Sequence, residues 1–317
     1  MRVVIIGGSG HIGSYLTPRL SRAGHTVLNV TRGLREPYFP DKAWRSVTQV
    51  VLDRAGEEAA GNFGETIAGL DPQVVIDLTC YLPESAEQLL TALTGRIHHF
   101  LHCGTIWIHG HSVQVPTTEE SPRTAFGEYG LRKVAIEALL LRAAHIEGFP
   151  VTLLHPGHLV GRGWNPLNPQ GNFNAAVFRD LSAGEELLIP NLGMETVHHV
   201  HADDVAQAFA CALARRSVSL GESFHVVSAA ALTLRGFAER MAAWFGMEAR
   251  LRFAPWEDWS RSVSEKDANA TWDHIAHSPN CSIEKARRLL GYTPRYSSME
   301  AVTEAVGDMR QRGIFNS

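Results

Sequence analysis

The chain has 317 residues, 44% of them hydrophobic and 20% charged, which is enough apolar material for a real core and excludes a disordered chain or a disulfide-stapled miniprotein. Its 29 Lys and Arg against 33 Asp and Glu leave a net charge of −4 with no dense basic stretch, so neither nucleic acid nor an anionic membrane surface is the expected partner. No stretch reaches the ~18 apolar residues of a membrane span, and Cys80, Cys103, Cys211 and Cys281 lack metal-ribbon or disulfide spacing. A cytoplasmic protein is expected, because residues 2–6 already read as a core strand and not as a leader.

In chain order, 2–6, 26–30, 47–52, 73–78, 97–102 and 151–155 read as buried strands rich in β-branched residues. Helical stretches fall between them at 11–23, 57–68, 83–93 and 129–147, while 31–46 has no period and reads as a long loop. Strands alternating with helices imply βαβ units, hence a doubly wound parallel sheet of Rossmann type covered on both faces. Glycine and proline crowd 157–171, marking passage to a second lobe. Beyond it are expected a helix near 174–183, a helix over 202–215, a strand at 223–227, a helix at 233–245 and two C-terminal helices. The chain thus divides into a dinucleotide-binding domain, 1–160, to which 202–227 returns, and a mainly substrate-binding lobe, 161–317.

Directly after the first strand stands Gly7-Gly8-Ser9-Gly10-His11-Ile12-Gly13. Glycines let backbone approach a pyrophosphate, and the helix that follows offers its unpaired N–H groups and positive dipole end. Gly7, Gly10, His11, Ile12 and Gly13 are therefore candidate cofactor contacts. The second strand ends in Thr31-Arg32 with no carboxylate to clamp a ribose 2′-hydroxyl. A guanidinium there pairs with a 2′-phosphate, so NADP is expected, with NAD as the alternative. Asp53 is placed to accept from the adenine amino group, and Leu78 and Pro156 are further candidate contacts at strand ends.

Tyr129 and Lys133 lie four apart on one helix face. An ammonium beside a tyrosine lowers its pKa and makes it a proton shuttle. Upstream, Thr105 ends a strand and carries a hydroxyl able to orient a substrate oxygen.

Together these motifs resemble the extended short-chain dehydrogenase/reductase family, its NAD-dependent epimerase/dehydratase group. The likeness runs through Gly7–Gly13, Asp53, the segment 100–110, Tyr129-x-x-x-Lys133, His155-Pro156-Gly157, the segment 200–206 and the segment 284–292. It implies Tyr129 as acid/base, Lys133 as a ribose contact as well, and Thr105 on the reacting hydroxyl. Departures from the family pattern are equally informative. Ile106 and Trp107 stand where dehydratases carry acidic residues. Val197 and Trp272 stand where nucleotide-sugar enzymes carry arginines, though Arg162, Arg179 or Arg252 could replace them from elsewhere in the cleft. His109 replaces a common tyrosine. Trp107, His109 and Trp164 are the candidate substrate-lining residues.

The implied function is an oxidoreductase or epimerase working on a secondary alcohol or sugar-like carbinol. Net NADPH-dependent ketone reduction in the same site is one alternative. The other is a non-catalytic cofactor-binding regulator or RNA-binding protein of the atypical branch, which the segment 77–81 loosely resembles. Histidines crowd 98–111 and 198–201, yet no carboxylate or cysteine completes a ligand set, and no metal is expected. Asp203-Asp204 is expected to cap a helix. Trp256, Trp259 and Trp272 fit pocket lining and lobe packing equally well. A small-molecule substrate and a homodimer complete the expected partners.

Overall fold

A computed structural model describes residues 1–315. Strand β1 (Arg2–Ile6) leads through the glycine loop into α1 (His11–Arg22), followed by β2 (Thr26–Thr31), β3 (Thr48–Val51), α2 (Arg54–Ala59), α3 (Phe63–Ala68), β4 (Val74–Asp77), α4 (Pro83–Leu93), β5 (His99–Cys103), α5 (Gly127–Arg142) and β6 (Val151–Pro156). Then come β7 (His158–Val160), α6 (Ala176–Ser182), β8 (Glu186–Pro190), β9 (Thr196–Val197), β10 (His199–His201), α7 (Ala202–Ala214), α8 (Arg216–Ser219), β11 (Glu222–Val226), β12 (Leu232–Thr233), α9 (Leu234–Trp244) and β13 (Arg250–Ala254). The chain ends in α10 (Trp256–Arg261), α11 (Glu265–His277), α12 (Glu284–Leu290) and α13 (Ser298–Gln311).

Seven parallel strands form the main sheet in the order β11-β6-β5-β4-β1-β2-β3. The expected Rossmann-type fold is present. Strand alternation explains its two cores. On β1, Val3 and Ile5 face one cluster with Ile12 and Leu16 of α1 and Phe209 of α7. Val4 and Ile6 face the other, with Phe63 of α3, Leu89 of α4 and Ile136 of α5. A third cluster joins Phe178, Ile189, Phe237, Met241 and Val306 in the lobe. No helix of the described residues is long and apolar enough to cross a membrane.

Several expectations need correction. The stretch 57–68 is two helices, because Gly61 turns with φ +73 between them. Helix α5 starts at Gly127 and ends at Arg142, with a π-type turn, Ala143–Glu147, closed by left-handed Gly148. The loop 31–46 holds a 3-10 turn at Lys42–Ser46, capped by Asp41. Four helices, not two, follow β13; Pro255, Ser264 and Ser297 occupy three of their N-caps and divide the run. The short strand pairs β10 with β7, β12 with β9 and β13 with β8 went unpredicted. Finally, His201 and not an aspartate caps α7, its side chain accepting from Asp203 N–H. Asp203 instead pairs with Arg19 and Arg295, and Asp204 accepts from Arg295 and Tyr296 N–H at 2.8 and 3.1 Å.

Candidate active site

In a parallel sheet every strand ends at the same edge, and that edge collects the predicted residues. Gly7 follows β1, Thr31 and Arg32 end β2, Asp53 lies just beyond β3, Leu78 follows β4, Thr105 follows β5 and Pro156 closes β6. Arg32 and Asp53 are exposed there. No carboxylate lies in the first turn of α1 and no side chain caps it, so its leading N–H groups stay open to an anion. A Cβ on Gly7, whose φ is +87, would lie 2.5 Å from Thr79 Cγ2, and one on Gly13 would lie 2.3 Å from Gly8 O. This is a cradle only glycine can line, and it fits the pyrophosphate of a dinucleotide. His11 stacks on Trp164 with centroids 4.8 Å apart and also meets Tyr38. Trp164 therefore packs beside the phosphate loop, away from Trp107.

Across the edge, Lys133 Nζ donates to Cys80 O at 2.7 Å and Cys103 O at 2.9 Å, stitching α5 to the ends of β4 and β5. Its ammonium lies 5.1 Å from the Tyr81 ring centre and 5.8 Å from that of Tyr129. Tyr129 is 42% exposed on the cleft side. Burial of its hydroxyl nevertheless pushes its pKa above the ordinary value, against a Thr105 hydrogen bond that pulls the other way. The expected lowering by Lys133 is not seen, since that ammonium is turned into two carbonyls and is itself lowered by burial.

Thr105 is buried and caps the 3-10 turn Ile106–His109, Oγ1 accepting from Trp107 N–H at 3.3 Å. Behind it runs a chain that sequence reasoning missed. Thr105 N–H donates to His155 Nδ1 at 3.1 Å, so the proton of that ring sits on Nε2, which donates to Glu137 Oε1 at 3.2 Å. Arg123 closes the chain on both Glu137 oxygens at 2.9 and 3.0 Å. Burial alone would raise the Glu137 pKa, but His155 and Arg123 hold it well below the usual carboxylate range. The available signal was spacing: Glu137 stands one further turn along the Tyr129–Lys133 face.

His109 does not line the cleft. It is 5% exposed and spends its nitrogens on Pro122 O at 3.1 Å and His225 Nε2 at 2.8 Å. Trp107 does face Tyr129, edge to face at 6.0 Å, and stacks on His277 at 4.1 Å. Of the tryptophan trio, Trp259 is fully buried and donates to Leu188 O, whereas Trp272 is half exposed beside Trp256. No group of three His, Cys, Asp or Glu among the described residues is arranged to hold a metal.

A model of the NAD dependent epimerase/dehydratase family matches residues 3–226. Over 241 residues the chain is 29% identical to 2′-dehydrokanamycin reductase of Streptomyces kanamyceticus, covering 76% of this chain and 66% of that protein, just under two thirds of its length. It is 24% identical over 323 residues to a chloroplast stem-loop binding protein of Arabidopsis thaliana, covering 99% of this chain and 80% of that one. Among solved structures, UDP-glucose 4-epimerase of Thermotoga maritima matches with a TM-score of 0.74 at 20% identity, covering 98% of this chain and 99% of that one.

Proposed function

The chain belongs to the NAD dependent epimerase/dehydratase family, and from that premise we propose that it is a nicotinamide-dependent oxidoreductase or epimerase acting on a secondary carbinol of a sugar-like ring. The observation that carries this reading is the meeting of Thr105, Tyr129 and Lys133 at one sheet edge, opposite an uncapped, glycine-lined helix N-terminus. When bound, the nicotinamide supplies the hydride chemistry at the reacting carbon. Tyr129 Oη passes a proton to or from the carbinol oxygen. Thr105, held by the His155–Glu137–Arg123 chain, offers its hydroxyl to that same oxygen. Lys133 keeps a positive charge beneath both and reaches the nicotinamide ribose. Gly7, Gly10, His11, Ile12 and Gly13 hold the pyrophosphate. Leu78 and Pro156 border the dinucleotide, and Asp53 takes the adenine. Arg32 and Thr31 favour NADP over NAD.

The substrate in this reading carries no nucleoside diphosphate. Val197 is buried in β9, Trp272 is apolar, and the substitute cations are already engaged. Arg162 faces Asp308 at 3.4 Å, Arg179 faces Asp180 at 2.8 Å and Arg252 faces Glu186 at 3.4 Å. Each is more than half exposed, so recruiting it surrenders only a weak surface pair, and the reading rests on Val197 and Trp272. The reductase relative acts on a glycoside ketone by its name, which supports net reduction as the variant of the reading to test first. The test is cofactor absorbance with candidate ring ketones and alcohols. Stoichiometric change marks a reductase, unchanged absorbance with epimer formation marks an epimerase, and neither with any substrate refutes the reading.

The stem-loop relative favours a second reading, an RNA-binding or regulatory protein. The net charge of −4 weighs against it. Gel-shift with a structured RNA at physiological salt decides it.

A further inference from the structure

Beside Trp107 lie two imidazoles whose tautomers the backbone dictates. On α11, His274 Nδ1 lies 2.6 Å from Ala270 O and His277 Nδ1 lies 2.5 Å from Asp273 O. A carbonyl can only accept, so each ring must keep its proton on Nδ1. Burial lowers the pKa of both imidazoles, His277 to about 4, and leaves them neutral near neutral pH. Each Nε2 is then a bare acceptor. His277 is out of a ligand's reach, its ring stacked between Trp107 and Phe126 at 4.1 Å from each and its Nε2 buried, and His158 Nε2, whose ring lies 5.4 Å from that of His274, is buried without a partner as well. His274 Nε2 has no hydrogen-bond partner among the described residues. The array is fixed in place, because Thr271 on the same helix accepts from Asn172 at 3.1 Å and donates to Gln170 O at 3.0 Å. The nearby charge is the Asp273 carboxylate, which acts on His274.

We infer that His274, on α11 and edge-on to Trp107, determines specificity by selecting a ring whose rim donates hydrogen bonds through hydroxyl or ammonium groups, while His277 holds the Trp107 ring in place by stacking on it. Phosphate and carboxylate bring lone pairs against lone pairs here, whereas a donor-bearing glycoside or cyclitol satisfies the His274 nitrogen that otherwise lacks a partner. A site built to pair with a substrate donor strongly rejects an analogue lacking it. This inference deepens the oxidoreductase reading and rests on it for the position of the substrate beside Tyr129.

Calorimetry on the cofactor-saturated protein tests it with trehalose, kanamycin, permethylated trehalose and UDP-glucose. Trehalose or kanamycin should bind, and permethylated trehalose and UDP-glucose should not. His274→Phe keeps the ring and loses the acceptor; it should weaken the bound donor ring about tenfold or more with cofactor affinity unchanged, whereas His277→Phe, which loses a nitrogen no ligand reaches, should change it far less. If a variant does not fold, the comparison of trehalose with its permethylated form on the native chain still decides. No binding by either donor ring at millimolar concentration, native affinity in His274→Phe, or preferential binding of UDP-glucose overturns the inference. The cofactor titration reports separately on the oxidoreductase reading, which fails if neither NAD nor NADP binds.

Discussion

At Tyr129, burial and the Thr105 hydrogen bond pull the proton in opposite directions, and burial wins. A phenol that keeps its proton through neutral pH is poised as an acid. With saturating reduced cofactor, ketone reduction should therefore hold its rate from neutral pH upward and fall only as the pH rises past the ordinary tyrosine value of ~10. A falling limb near pH 7 would assign the acid elsewhere. Tyr129→Phe should cost turnover roughly 10²–10⁴-fold while leaving cofactor affinity intact. Lys133→Ala should damage both, because it also frees the Cys80 and Cys103 carbonyls. Arg32 is exposed. Arg32→Ala should shrink the preference for NADP over NAD by roughly one to two orders of magnitude, read by fluorescence titration of both cofactors. A native preference for NAD would remove the basis of that assignment. The strand-end residues were legible because motif and neighbouring element agree. His109 and Trp164 were not placed correctly beside Trp107, since nothing in sequence spacing shows which side of a turn a ring takes.

Among the elements, α5 carries most of the chemistry, and its inner face is a row of one-turn steps from Tyr129 through Lys133 to Glu137. Glu137 is 3% exposed and bound by both Arg123 and His155. Removing its charge takes the carboxylate from Arg123 and His155 but leaves the half-buried Arg123 its carbonyl partners Glu119 and Ser121, so Glu137→Gln should cost about 1–3 kcal/mol. Its folded pKa is depressed, so this contribution is complete above the unfolded value of ~4.3 and is lost as the pH falls toward the folded one. The gap in melting temperature between native chain and variant should thus be full at neutral pH and close below about pH 4. A gap that widens in acid would contradict the ion-pair account. The main strands could be read from the sequence because each alternates between two apolar clusters, Val3 and Ile5 against Val4 and Ile6. The lobe strands could not. At two to five residues, β7, β9, β10, β12 and β13 are too short for a period to declare itself, and tertiary pairing decides them.

Across the whole molecule, the cleft lies between the sheet edge and the lobe, and a small set of polar residues joins the two. Asp203 takes Arg19 from α1 and Arg295 from the approach to α13, while Asp204 fixes the backbone at Arg295 and Tyr296. His201 reaches Glu304 on α13 at 2.5 Å. The segment 200–206 stood out in the sequence as a motif, but its role as a junction needed the three-dimensional partners, which lie some ninety to a hundred residues further on or far back in α1. The phosphate loop belongs to the same assembly, because His11 stacks on Trp164 from the far side of the cleft. A cofactor seated on α1 therefore meets residues braced by both halves. At about 100 times its dissociation constant it adds ~2.7 kcal/mol to the folded state, or roughly 5 °C in melting temperature for a chain of this size. Tyr129→Phe should show the same rise, since it removes no cofactor contact. Asp204→Ala strands two N–H groups and should lower the starting temperature and separate the lobe from the sheet. With saturating NADP, near-ultraviolet signals from the lobe tryptophans and far-ultraviolet signals from the sheet should move together in the native chain and apart in Asp204→Ala. If the lobe melts at an unchanged temperature while the sheet alone is stabilised, the cofactor does not sit between them and the shared cleft must be abandoned.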